Sequence, residues 1–287
     1  MKFNSKFTKI LSVSRVIQQI LGFLKTPSLF ITSSFTGITS FHLPSITNEE
    51  VEGIANLISL PTKLVMGKRM EHFFKDVISM SSQTNLIAHN IQLHCNKITV
   101  GELDFLVEDI NQNKIVHVEL MYKIYVYDPE LPTEMERWIG PNRKDSLIEK
   151  LEKVKKHQLP LLYSSVAKEH LKTLQISAEN IEQQICYKAK LFIPKHLSEH
   201  HFPEVNNKCI AGFWYDLPHF KEVMHSDYKF YAPEKQDWPS DPANNSVWMT
   251  YSDINKQIQA MHLQKKSPLI WISKQTGEFE SAIVVWW

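Results

Sequence analysis

The chain is short of the features that most readily identify a function. Only three cysteines occur among its 287 residues, Cys95, Cys186 and Cys209, odd in number and far apart. That argues against a disulfide framework and for structural thiols in a reducing compartment. Glycine is scarce, at eight residues, and none forms a phosphate-cradling loop, a nucleophile elbow or part of a zinc-finger spacing. No run approaches the roughly twenty apolar residues that a membrane span requires. Neither sign of charge dominates: 32 Lys and Arg face 31 Asp and Glu, so the molecule has no global field to draw in a polyanion. Any nucleic-acid contact must use a local patch. The expectation is a soluble cytoplasmic protein, with no internal repeat and no low-complexity tract.

What is present reads as one elaborated domain, since this length can bury a sizeable core unaided. Residues 1–63 are expected to form a helical region packing on a core at 64–195, with 196–287 a mixed, β-rich extension of the same domain. Lys2, Lys6, Lys9, Arg15 and Lys25 superficially suggest an import peptide. However, Ile10, Leu11, Val16, Ile20, Leu21 and Leu24 recur at helical spacing and predict an amphipathic helix. Asn48 is a candidate cap for a helix over 49–60, and the apolar stripe of 64–80 predicts a second, with Glu71 inside it. Strands are expected at 87–95, 102–107 and 115–127 as an antiparallel meander. A helix over 142–158, stopped by Pro160, and a strand at 185–193 follow. The sum is an α/β protein with a mixed sheet.

Two consecutive strands read GELDFLV and HVELMYKIYV. Alternate residues of a strand share a face, so Glu102 points with Asp104, and His117 with Glu119, Met121 and Lys123. Such an acidic pair can bind Mg²⁺ or Mn²⁺ through oxygen and activate water toward a phosphodiester. A lysine beside it can hold that water or offset the charge of the transition state. The bland alternative is a salt bridge from Lys123 to Glu102 or Glu119. On the following helix Lys150, Lys153 and His157 recur at helical spacing and could contact phosphates. The alternative there is a solvated face interleaved with Asp145, Glu149 and Glu152.

These residues carry a resemblance to the PD-(D/E)XK nuclease superfamily, over about Leu64 to Ile193. Its core runs helix, three strands, helix, strand, so the resemblance implies a restriction-endonuclease-like fold. It also implies that Asp104 and Glu119 bind Mg²⁺, that Glu71 assists directly or through water, and that the substrate is nucleic acid, DNA in particular. The superfamily's lysine stands two residues after the acid, where this chain has Met121; Lys123 lies on the same face about 6.6 Å further on. More of the chain resembles a bacterial family known as domain of unknown function 1853, through GELDFL, the H-x-E-x-x-x-K strand, WIGPNRKDSLIEKLEKVKKHQL, LFIP and GFW. That likeness implies no activity, but its HQL segment implies that Gln158 lies near the site, as a substrate-binding residue. The expectation is therefore an Mg²⁺-dependent nuclease using Asp104, Glu119, Lys123 and Glu71. The competing expectation is a catalytically inactive binding or scaffold protein that keeps the nuclease-like sheet.

Overall fold

A computed structural model describes residues 2–31, 37–61, 63–225 and 227–287, with residues 2–13 and 223 described by backbone alone. The chain opens with α1 (Lys2–Lys25), a two-residue strand β1 (Thr39–Ser40), α2 (Asn48–Leu57) and α3 (Met66–Met80). Val16, Ile17, Ile20, Leu21, Phe23 and Leu24 turn one side of α1 onto α2 and α3, as their helical spacing requires. Ile10 and Leu11 of the same stripe lie outside the described side chains. The cap of α2 is Thr47 rather than Asn48: its hydroxyl accepts from Glu50 N, and the Glu50 carboxylate accepts from Thr47 N. This reciprocal box satisfies two otherwise orphaned N–H groups. Met70, Phe73, Phe74, Val77 and Ile78 supply the buried stripe of α3.

Strands β2 (Thr84–Cys95), β3 (Ile98–Asp109) and β4 (Lys114–Tyr127) form the antiparallel meander. Next come β5 (Trp138–Ile139), α4 (Leu147–Lys153), α5 (Ser165–Thr173) and β6 (Ile181–Ile193). The α4–α5 connection returns β6 parallel to β4, paired from Ile115↔Ile181 to Val126↔Phe192. After it follow β7 (Ile210–Tyr215), α6 (Leu217–Val223), β8 (Lys229–Tyr231), α7 (Tyr251–His262), β9 (Leu269–Ser273) and β10 (Phe279–Val284). One ten-stranded mixed sheet results, in the order β2-β3-β4-β6-β7-β10-β9-β8, with β1 added to β6 and β5 to β4.

The sheet is covered on both sides, so its central strands are apolar on both faces. Val116, Val118 and Tyr122 of β4 pack with α3, whereas Met121 and Tyr125 pack with Leu147, Leu151 and Val154 of the opposite layer. At the far end, Phe220 of α6 and Ile254 and Ile258 of α7 cover β8–β10.

The helix after β5 differs from the expected one. It begins at Leu147, five residues later than Asn142, because Gly140 N bonds to Asp145 O at 2.7 Å and Arg143 takes a left-handed φ of 55°. Ser146 then caps it, accepting from Glu149 N at 3.3 Å. Nor does Pro160 simply stop it. Residues Val154–Gln158 form a π turn, and Leu159–Tyr163 a 3₁₀ turn that holds Pro160 near its start, where a missing N–H costs nothing.

Candidate active site where β3 and β4 part

The β3–β4 ladder runs from Asp109↔Lys114 to Phe105↔Val118 and stops there. Beyond it Asp104 takes up the first unpaired donor with its side chain: Oδ2 accepts from Leu120 N at 3.0 Å. Strand alternation breaks at this point. Leu103 and Leu106, three apart rather than two, join one apolar cluster, while Phe105 and Val107 join the one on the opposite face. On β2, Asn90 has a left-handed φ of 51°. Asp104 thus sits in a notch within the sheet. Burial pushes its carboxyl up to about 8, assisted by the negative charges of Glu119, Glu71 and Glu102 and opposed by the Leu120 N–H.

Glu119 is fully buried, with a donor on each oxygen. Gln183 Nε2 donates to Leu159 O at 2.8 Å and to His117 Nδ1 at 3.1 Å. His117 Nδ1 is therefore an acceptor, so Nε2 carries the hydrogen and donates to Glu119 Oε1 at 3.1 Å. From the other side Gln158 Nε2 donates to Glu119 Oε2, and Lys150 Nζ donates to Gln158 Oε1 at 2.9 Å. The π turn aims Gln158 at this bond. Burial lowers the proton affinity of Lys150, as do Lys123 and Lys153, while Glu119 and Asp104 raise it.

Asp104, Glu119, Lys123, Lys150 and Gln158 are thus brought into one electrostatic neighbourhood. Lys123 bonds neither Glu102 nor Glu119; its ammonium meets Asp145 Oδ2 at 2.6 Å. Glu71 acts on Asp104 through its charge, but Lys68 Nζ holds its carboxylate at 2.7 Å and reaches Glu102 at 3.2 Å. Lys153 and His157 are exposed. The α-helical spacing that joined Lys150 to His157 is interrupted by the π turn. Sequence reasoning gave no role to His117 or Gln183; the alternation of His117 with Glu119 was the available sign. It also passed over Lys68, which precedes Glu71 by three residues.

Beside the notch lies a cleft of about 590 Å³ between the start of α3, Leu120–Ile124 and the loop before α4. Lys123, Lys144, Lys150 and Lys235 line it, with Asp145 as its one acid. This is the local basic patch that a chain of net charge +1 would need to attract an anion. Among the described residues, no three His, Cys, Asp or Glu side chains are gathered closely enough to hold a metal ion.

A family model described as "Domain of unknown function (DUF1853)" matches residues 45–282. The chain belongs to the DUF1853 family. The match contains every residue of the notch and cleft named above. No curated protein and no solved structure matches the DUF1853 chain. Among its described residues, no helix is long and apolar enough to cross a membrane.

Proposed function

We propose that this DUF1853 protein is a phosphodiester hydrolase, a nuclease that acts on DNA at the notch between β3 and β4 with the help of Mg²⁺. One observation carries the reading. A half-buried carboxyl, Asp104, is pushed up to about 8 by desolvation and by three other carboxylates, and it bonds to Leu120, which lines a cleft shared with four lysines. The run α3, β2–β3–β4, α4, β6, with β6 parallel to β4, supports a restriction-endonuclease-like core.

The donors suit the ion: all are oxygen, and the negative charge around Asp104 is what a divalent cation would neutralise. Mg²⁺ takes one or two protein carboxylates and leaves its other positions to water and phosphate, so a cluster of three is not required. Asp104 and Glu119 would hold it, with Glu71 assisting; Mn²⁺ would serve as well. When bound, the ion would polarise the phosphodiester and acidify a water.

The chain's own residues do the rest. The cleft lysines hold the phosphate backbone. His117 and Gln158 fix the Glu119 carboxylate in one orientation, leaving the reacting phosphate to meet a preset charge. Lys150, reaching Glu119 through Gln158, supplies an ammonium for the charge that develops on phosphorus, a role expected of Lys123 from its place on β4.

A binding or scaffold role is favoured by the contacts that occupy Lys123 and Glu71, namely Asp145 and Lys68. Incubation with plasmid, single-stranded DNA and RNA, with and without Mg²⁺ or Mn²⁺, separates the two. Cleavage that depends on the divalent ion and drops at least ~100-fold in Asp104→Ala and Glu119→Ala is expected. If neither substitution lowers cleavage, the catalytic assignment is wrong. Binding without any cleavage leaves the scaffold role.

A further inference from the structure

A second cavity, of about 410 Å³, opens among α1, β6, β7, β10 and the segment after Trp238. Lys190 of β6 lies at its floor, and Lys25 and Lys208 stand exposed in its walls. Among the described residues neither Lys25 nor Lys208 has an ion-pair partner. Lys190 Nζ donates to Trp238 O at 2.9 Å and Pro239 O at 3.0 Å, which satisfies two of its three hydrogens with neutral oxygens.

The acids of the cavity are engaged elsewhere. Glu280 is held by Lys274 Nζ at 2.5 Å, and Asp241 accepts from Ala243 N at 3.0 Å, acting on Lys190 only at longer range. A sunken ammonium without a carboxylate beside it is costly unless an anion completes it. Burial accordingly pushes Lys190 down to about 8. The buried residue Ser240 adds a hydroxyl to the lining.

We infer that this cavity is a binding site for a small phosphorylated molecule, whose phosphate is received by Lys190 with Lys25 and Lys208. The volume matches a small-molecule pocket, and the site shares no lysine with the cleft beside β4. Three lysines lining one space suit a dianionic group, which could draw their ammonium groups in, rather than a single carboxylate. The inference is independent of the nuclease reading.

Calorimetric titration of the full chain with pyrophosphate in EDTA, at pH 7.5, tests it. Saturable binding at one site per chain is expected, weakened about tenfold or more in Lys25→Ala/Lys208→Ala, a variant altered only at exposed positions that should keep the wild-type melting temperature. Lys190→Met should abolish binding, with its melting curve recorded alongside. Affinity for a twelve-nucleotide single strand should be the same in Lys25→Ala/Lys208→Ala and wild type. Absence of saturable pyrophosphate binding overturns the inference, as does equal affinity in Lys25→Ala/Lys208→Ala. Loss of pyrophosphate binding in Lys144→Ala/Lys235→Ala would place the anion in the other cleft. Oligonucleotide binding that collapses in Lys25→Ala/Lys208→Ala would make the cavity part of a nucleic-acid path. Either result overturns the assignment.

Discussion

At the scale of single residues, Asp104 gives the protein a pH dependence of definite sign. Its carboxyl titrates near 8 in the folded chain and near 3.9 when unfolded, so between those values the folded state holds a proton that the unfolded state has lost. Stability from this group is therefore present at low pH and lost as pH rises toward 8. Asp104→Asn keeps an acceptor for Leu120 N and removes the charge. In EDTA at pH 8 it should stabilise the chain by several kcal/mol, up to about 5, and at pH 4 by close to nothing. Urea unfolding at the two pH values checks this; equal effects at both would refute it. Gln158→Leu acts in the other direction. It leaves one oxygen of Glu119 and the Lys150 ammonium without their partner, and should cost about 1–3 kcal/mol in the same measurement.

At the scale of elements, the π turn Val154–Gln158 is the device that delivers Gln158. Deleting exposed Lys155 should restore α-helical pairing and rotate Gln158 by about 100° away from Glu119. The helix should persist by circular dichroism while the Gln158 side-chain amide resonances lose their hydrogen-bonded shift. Unchanged resonances would show that the turn is incidental. Helix α1 is set against the segment after Trp238 by Gly22, where a Cβ would fall 2.3 Å from Pro239 O. Gly22→Ala should destabilise by about 1–3 kcal/mol, seen as a lower melting temperature.

The same elements show what the sequence makes legible. Apolar periodicity located α3, the meander and β6, because burial on a defined face leaves a period in the chain. Strand alternation put Asp104 and Glu119 on adjacent strands, and they do lie near each other; Gln158, which bonds to Glu119, was suggested by the family resemblance and not by periodicity. The apolar period did not give the break in alternation at Asp104, which depends on where the β3–β4 ladder ends. Nor did it give the π turn, which is invisible to a count made at 3.6 residues per turn. Partner choice was equally hidden: Lys123 meets Asp145 because a loop folds back at Gly140, where a Cβ would fall 2.0 Å from Asp145 Oδ1.

At the scale of the whole molecule, near neutrality means that the proposed binding of DNA would rest on the cleft beside β4. Single-stranded DNA neutralised by four lysines should lose affinity with salt at a logarithmic slope of about −3. Lys144→Ala/Lys235→Ala should flatten that slope by about 1.4, with the oligonucleotide titrated at several salt concentrations. An unchanged slope would move the strand to another surface.

The segment from Lys235 to Asp241 stands between the two cavities: Lys235, Gln236 and Trp238 face one, while Pro239, Ser240 and Asp241 face the other. It is pinned by Arg15 and Gln19 to Asp237, by Arg69 to Gln236 and by Lys190 to its carbonyls. It is a party wall, and thermodynamics governs traffic across such a wall symmetrically. Whatever factor pyrophosphate imposes on the affinity for a DNA strand, the strand imposes on the affinity for pyrophosphate.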